Sequence, residues 1–349
     1  MAATDPGSDA GSATVVPEEN TTPQDITIAE EGDIVLVLED GKKRIKVQAA
    51  VIFTLILSFK SKVFKKMLGP HFLEGQTQRS PEQPQDIQLS DDNANAMELM
   101  CKLLHLGRPV GIKCTPRDLS RMASLADKYD CVDAVSLISE ALLKRWAAPD
   151  ISCTKSSGQG LARFAAVALA LRLDDLFVQT TRCMVLDMSI SFSAACNDEL
   201  SASVLLGLEE QRQFVRNSLL NALAAHTAGK CILDRCNVTS TTSTFEKEMV
   251  RRLGLKYWPP CWEAQSLREF LEKLAVDGDV ALGHTYTCGH SGSNSTRIYR
   301  CELQAVATRC NKRAYGLCAQ CARQEKSQSR CEHVEKLKKV PHNDLLSWQ

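Results

Sequence analysis

The chain has 349 residues and a formal net charge of zero, so its length predicts two or three domains and its charge favours no charged partner. Apolar residues make up 44% and charged residues 24%, which is ordinary for a globular protein that builds a core. No run reaches the roughly 18 apolar residues of a membrane span, and the first thirty residues lack the features of a secretory signal. We therefore predict an intracellular protein of the cytoplasm, the nucleus or both, with no membrane partner.

Residues 1–30 are rich in Ala, Thr, Ser, Pro and acidic residues, and no Lys or Arg occurs before residue 42. A segment with so few large apolar side chains cannot offset the entropy lost on ordering. We predict a disordered acidic tail.

Residues 31–147 show the clearest order of elements. Two apolar runs, 34–38 and 44–47, flank Asp40-Gly41, which predicts a β-hairpin because glycine accepts positive φ in a tight turn. Thr115, followed by Pro116, marks a helix N-terminus. The elements predicted after the hairpin are a helical stretch over 49–68, a strand over 86–89 and three helices. This order predicts a mixed α+β unit with a small sheet.

Several strings of this unit carry a resemblance: Gly32–Val37, Lys62–Leu68, Gly69–Gly75, Asp86–Leu89 and Leu125–Cys131. Together they resemble a BTB/POZ domain of the type common in filamentous fungi. The resemblance implies self-dimerisation and docking to a cullin-type ubiquitin-ligase scaffold. The chain departs from the family at Gln48, where a histidine is frequent, and at Phe53–Phe59, which adds apolar residues; the sequence leaves open whether this insert is genuine.

The resemblance also points to a protein-binding site. In the family an apolar-x-Glu element contacts the cullin, and Phe72-Leu73-Glu74 matches it. Phe72 would then fill an apolar pocket on the partner, and Glu74 would accept hydrogen bonds at the pocket edge. The alternative is that Phe72 packs on its own domain and Glu74 is solvated.

Residues 148–160 contain Pro149 and Gly158 and are predicted to form a linker. Residues 161–280 show helical apolar spacing and are predicted to form a helical extension. Its longest helix is expected over 199–226, with Gly207 as the point at which that helix can break.

Residues 281–340 are rich in Cys and His, and the chain has fifteen cysteines in total. In a reducing compartment these cysteines are buried thiols or metal ligands. A Cys-x-x-Cys pair supplies two ligands from one turn, and a Cys-x-His pair supplies two more. The best four ligands for a structural Zn²⁺ are Cys288, His290, Cys318 and Cys321, and the alternates for the first pair are Cys331 and His333. A redox-active Cys-x-x-Cys and unligated thiols are the other interpretations.

No phosphate-binding loop, dinucleotide fingerprint or zinc-protease motif is present in the sequence, so we predict that the chain is not an enzyme. The preferred hypothesis is a protein-interaction protein that dimerises and serves as a substrate adaptor for a cullin-type ligase. The alternative is a transcription- or chromatin-associated factor that binds nucleic acid, because residues 297–339 contain eleven Lys and Arg against four Glu. More often such a surplus is only a solvated face.

Overall fold

A computed structural model gives the chain a mixed α+β fold, with a small sheet near the N-terminus and a Cys/His cluster near the C-terminus. The residues that it describes are 24–39, 43–47, 57, 60–106, 111–146, 158–196, 198–227, 247, 250–251, 255, 260, 262, 265–276, 281–282, 299–300, 303–328, 331–333 and 337. Gln48 and most of the Phe53–Phe59 insert lie outside this set; only Leu57 is described, and it is buried. None of the described helices is long and apolar enough to cross a membrane.

The main sheet has four strands in the order β1-β3-β2-β4. Their bounds are β1 Gln24–Thr27, β2 Ile34–Leu38, β3 Lys43–Val47 and β4 Gln85–Leu89. Strands β2 and β3 are antiparallel, which confirms the predicted hairpin, and residues 39–42 connect them because Leu38 pairs with Lys43. Strand β1 pairs with β3 and strand β4 with β2, both in parallel.

Strand β1 lies in the segment that composition assigned to the acidic tail. Its Ile26 is opposite Ile45 of β3, and Ile28, just beyond the strand, packs against the core. The strand therefore depends on pairing with β3 rather than on its own apolar content.

One face of the sheet forms the centre of the N-terminal core. Alternate residues of β2 point to this face, and the side chains that meet there are fully or almost fully buried: Ile34, Leu36, Leu38, Ile45, Val47 and Ile87. The helices of the same unit cover this face, so the unit closes around a shared interior.

The helices have the following bounds: α1 Lys62–Met67, α2 Leu73–Gln76, α3 Ala94–Leu106, α4 Pro116–Lys128, α5 Val132–Trp146, α6 Gly158–Ala170, α7 Asp174–Asp187, α8 Phe192–Cys196, α9 Ala202–Thr227, α10 Leu267–Val276, α11 Leu303–Arg313 and α12 Ala319–Arg323. Two short strands, β5 Ala281–Leu282 and β6 Tyr299–Arg300, pair antiparallel. Helix α4 begins with the predicted Thr115 cap, which forms a reciprocal capping box with Asp118. Helix α9 runs unbroken past Gly207, the point at which the sequence allowed a break.

The sheet unit and the helical region share one apolar core. Helix α4 packs on α3 and also on α6, the first described helix of the helical region. Helices α6 and α7 form an antiparallel pair, α9 lies against α7, and α11 lies against α9 and α10. Helix α12 contacts α6 and α7. The Cys/His-rich end therefore packs onto the helical region.

Candidate metal centre

Four side chains near the C-terminus converge on one point: Cys318, Cys321, Cys331 and His333, which we call the ligand cluster. Their sulfur and imidazole nitrogen atoms all lie within 4.8 Å of one another. Cys318 and Cys321 are buried, whereas Cys331 and His333 are half-buried. The chemistry of this donor set, three sulfurs and one imidazole nitrogen, could hold a metal ion.

The local fold brings the ligands together in two steps. Cys318 caps the N-terminus of α12 and Cys321 lies three residues later, so both sulfurs lie on one face of the same helical turn. The chain then reverses after α12, where Glu325 adopts a positive φ of 52° and the N–H of Lys326 donates to the carbonyl of Cys321. The return segment brings Cys331 back to the cluster.

Four of the six distances between ligand atoms are close to those around a tetrahedral ion. Zinc bonds of about 2.3 Å to sulfur and about 2.0 Å to nitrogen place two sulfurs about 3.8 Å apart and a sulfur and a nitrogen about 3.5 Å apart. The Sγ atoms of Cys321 and Cys331 are 3.5 Å apart, and Nδ1 of His333 lies 3.6 Å from Sγ of Cys318 and 3.8 Å from each of the other two. These spacings are too long for a disulfide of about 2.05 Å.

The electrostatics of the cluster disfavour the thiolate forms of its cysteines when no cation is bound. Burial, followed by the neighbouring sulfurs of Cys331 and Cys318, raises the pKa of Cys321 to about 12. Burial also raises the pKa of Cys331, although the backbone N–H of His333, which donates to its Sγ at 3.3 Å, lowers it. A bound cation reverses this preference, because it stabilises the thiolates that burial disfavours.

Helix α7 anchors the segment that leads into the cluster. The N–H of Leu317 donates to Oγ1 of Thr181 at 2.9 Å. Gly316 lies so close to α7 that a Cβ atom there would be 1.7 Å from the carbonyl oxygen of Val178. The side chain of Val178 packs on Cys318 and Cys321. Only glycine allows this approach of the two backbones.

Three further polar side chains fix the same segment to the helices. The buried guanidinium of Arg182 donates from Nε to the carbonyl of Ala314 at 2.6 Å and from Nη2 to Oδ1 of Asn311 at 2.8 Å. Gln211 of α9 donates to the carbonyl of Arg313 at 3.2 Å. Arg323 of α12 and Asp174 of α7 form a two-bonded ion pair of 2.7 and 3.0 Å. The cluster is thus built against the groove between α7 and α9.

The structure brings together one of the two predicted ligand pairs and both alternates. Cys318 and Cys321 lie with Cys331 and His333, whereas Cys288 and His290 lie outside the described residues. The sequence did not predict the anchoring residues Thr181 and Arg182. Their only signal is a polar run, 179–182, inside an otherwise apolar predicted helix.

The predicted protein-binding pair lies far along the chain from the cluster, in the loop and short helix that precede β4. Phe72 caps the N-terminus of α2 and is half-exposed, and Glu74 lies in the first turn of that helix. Leu73, between them, is exposed.

Comparison of the chain with protein-family models, with curated proteins and with solved structures yields no match. The chemistry of the cluster and of the Phe72 loop therefore rests on their geometry.

Proposed function

We propose that the chain is a non-enzymatic protein-interaction protein that docks a partner through Phe72 and Glu74 and carries a structural Zn²⁺ in the ligand cluster. The observation that carries the docking proposal is the exposure of two adjacent apolar side chains, 50% for Phe72 and 80% for Leu73. A partner that covers both would gain apolar burial at a single small contact. Glu74 would accept hydrogen bonds at the edge of that contact.

The loop that presents these side chains is ordered by its own hydrogen bonds. The N–H of Phe72 donates to the carbonyl of Gly69 at 3.3 Å, and the N–H of Gly75 donates to the carbonyl of Phe72 at 3.0 Å. The side-chain amide of Gln76 donates to the carbonyl of Pro70 at 3.1 Å. Because the loop is ordered before a partner arrives, docking loses little conformational entropy.

The arrangement of the N-terminal unit supports assigning residues 31–147 to the BTB/POZ type. A β-hairpin, short helices, a strand parallel to the first hairpin strand, and three further helices follow in the order that the resemblance implies. On this assignment the partners are a second copy of the chain and a cullin-type scaffold. The helical region and the ligand cluster then form the side that recruits a substrate.

Affinity capture of the full chain tests the docking proposal. We expect Phe72→Ala with Glu74→Ala to lower recovery of a purified cullin-type scaffold by about 30-fold, as for a hot spot of about 2 kcal/mol. The matched control is Phe214→Ala on α9, which removes a phenyl ring that is 46% exposed. Equal recovery with the double variant and the native chain would refute the proposal.

Zinc is the ion that the donor set favours, because thiolate and imidazole ligands at tetrahedral spacing suit Zn²⁺ better than they suit hard cations. Four protein ligands leave no open position, so the ion would be structural. Metal analysis of the full chain should give one Zn²⁺ per chain and none after Cys321→Ser. The control is Cys310→Ser, which changes a buried thiol of α11 outside the cluster. A zinc-free native chain, purified without chelator, would contradict this part of the proposal.

Nucleic-acid binding is the second candidate function. It is favoured by exposed cationic side chains close to the cluster: Arg309, Lys312, Arg313 and Lys326. It is disfavoured by Tyr315, which is half-buried and packs beside Val178 and the cluster cysteines instead of offering a free ring for base stacking. The test is binding of a DNA duplex. Binding that weakens with salt and is lost after Arg309→Glu with Lys312→Glu would favour nucleic-acid binding over protein docking.

A further inference from the structure

We propose that Gln328 is the positioning residue of the ligand cluster, because it orients Cys318 through its side chain and Cys331 through its backbone. This inference rests on the proposed metal binding and identifies a residue, outside the four ligands, on which the affinity for the metal depends.

The side chain of Gln328 binds both polar groups of the Cys318 backbone. The N–H of Cys318 donates to Oε1 of Gln328 at 2.8 Å, and Nε2 of Gln328 donates to the carbonyl of Cys318 at 3.2 Å. Two hydrogen bonds from one planar amide fix the backbone on both sides of the Cα atom of Cys318. They therefore fix the direction in which its sulfur points.

The backbone of Gln328 starts the turn that returns the chain to the cluster. Its carbonyl accepts a hydrogen bond of 3.2 Å from the N–H of Cys331. The same residue thus touches one ligand that precedes it by ten positions and one that follows it by three.

A glycine on a distant helix keeps Gln328 in place. A Cβ atom at Gly207 of α9 would lie 2.6 Å from Cγ of Gln328 and 3.3 Å from its Cβ. The side chain of Gln328 is therefore packed directly on the backbone of α9 and cannot swing away from Cys318 on that side. This contact gives a physical reason for a glycine inside a long helix, where it otherwise lowers helix stability.

Residues that orient metal ligands typically change metal affinity by 10- to 100-fold when they are replaced. We expect Gln328→Ala in the full chain to weaken Co²⁺ and Zn²⁺ binding, measured by chelator competition, by about this factor. The visible absorption of bound Co²⁺ should also shift, because the Cys318 sulfur is no longer held in one direction. A residue that only stabilised the fold would leave the Co²⁺ spectrum of the folded protein unchanged.

Two further variants distinguish a specific loss of metal affinity from a general folding defect. Gln328→Glu keeps an acceptor for the N–H of Cys318 but loses the donor to its carbonyl, so we expect a smaller loss of affinity than for Gln328→Ala. Gln324→Ala changes an exposed glutamine at the end of α12 and should leave both the affinity and the spectrum unchanged. Native affinity and a native Co²⁺ spectrum in Gln328→Ala would overturn the inference.

Gly207→Ala completes the test. We expect it to weaken metal binding in the native background, because the added methyl group displaces Gln328. In the Gln328→Ala background the same change should have a much smaller effect on affinity, since the closest clash, with the Cγ atom, is gone and only the contact of 3.3 Å with Cβ remains. Equal losses in both backgrounds would overturn the role assigned to this contact. A native chain that binds neither Co²⁺ nor Zn²⁺ would instead refute the proposed metal site. Failure of the metal site and failure of the role of Gln328 therefore give different results.

Discussion

The N-terminal sheet unit and the ligand cluster are ordered by different forces. In the sheet unit, Leu36 is fully buried between Ile45 and Ile87, and the surrounding interior is apolar. In the cluster, the buried apolar backing is small and consists mainly of Val178 and Leu337. Burial of apolar area stabilises the first region without any added component. The second region places several sulfur atoms together, and a bound cation would stabilise their thiolate forms.

The two regions also differ in how they join the rest of the chain. The sheet unit meets the helical region through α4 and α6, in one continuous apolar core. The cluster segment reaches the same core through Leu317, Ala319 and Ala322, and its backbone is also hydrogen-bonded to the side chains of Thr181, Arg182 and Gln211. Such hydrogen bonds are directional, so they fix the position of the segment, but they contribute only about 1 kcal/mol each. Loss of the ion should therefore loosen one region and leave the other intact.

Metal removal is the strongest test of this difference. We expect a chelator to abolish hydrogen-exchange protection in α12, because a structural Zn²⁺ supplies on the order of 10 kcal/mol at such a site. Amides of β2 and β3 should keep their protection. Simultaneous loss of protection in the sheet and in α12 would show that the two regions unfold as one unit and would contradict the comparison.

Leu36→Ala tests the opposite case, because it weakens the sheet core and leaves the ligand cluster unchanged. Removing a fully buried leucine from the centre of the sheet core should lower the free energy of unfolding by about 3 kcal/mol. Denaturant unfolding of the metal-loaded chain measures this loss, and metal content should stay at the native level. The control is Leu137→Ala, which truncates a leucine that is 76% exposed and should change the free energy of unfolding little. Loss of metal in Leu36→Ala would show that cluster and core are not independent.

Gly316→Ala tests how closely the cluster segment must approach α7. The added methyl group would lie 1.7 Å from the carbonyl oxygen of Val178, so the two backbones must separate. We expect a loss of about 2 kcal/mol, as for overpacking, with weaker protection of α12. Gln320→Ala, at an exposed position of α12, is the control. An unchanged free energy of unfolding would mean that the segment can shift without cost.

The sequence predicts the local elements well and the long-range ones poorly. Asp40-Gly41 marks the hairpin and the spacing of Cys318 and Cys321 marks a metal turn, because both signals lie within a few residues. The bond from Arg182 to Ala314 joins residues 132 positions apart and has no periodic signature. The same reason hides strand β1, which is ordered by its partner β3. It also hides the approach of Cys331 and His333 to the turn of Cys318 and Cys321, which depends on the fold.

Alkaline pH should distinguish the buried thiol of Cys131 in the sheet unit from Cys321 in the ligand cluster. Burial, and then the charge of Asp130, raises the pKa of Cys131 to about 12 in the sheet unit. The unfolded thiol ionises near pH 8.5, so the stability from this group is fully present below that pH and is lost as pH rises toward 12. We expect the fall in unfolding free energy above pH 9 to be shallower by about 1.4 kcal/mol per pH unit in Cys131→Ala. Cys321 would add no such slope in the metal-loaded chain, because a bound ion would hold it as thiolate. An unchanged slope in Cys131→Ala would contradict this view of Cys131.

Two similar ion pairs, one in each region, should give the smallest effects on stability. Arg44 and Asp86 on the sheet are joined by bonds of 2.9 and 2.8 Å, and Arg323 and Asp174 beside the cluster by bonds of 2.7 and 3.0 Å. All four side chains are about one-third to one-half exposed, so Arg44→Ala and Arg323→Ala should each cost about 0.5 kcal/mol in the metal-loaded chain.

After chelation, the two substitutions should differ in their effect on hydrogen exchange. Without the ion, α12 depends on the Arg323 pair, on a few backbone bonds and on the packing of two small side chains, Ala319 and Ala322. Arg323→Ala should therefore speed hydrogen exchange in α12 beyond the effect of chelation. Arg44→Ala should have the same small effect with and without metal, because the apolar core fixes both of its strands. If the two substitutions respond alike to chelation, the cluster segment is held by its packing on α7 and α9, and the metal is not what orders it.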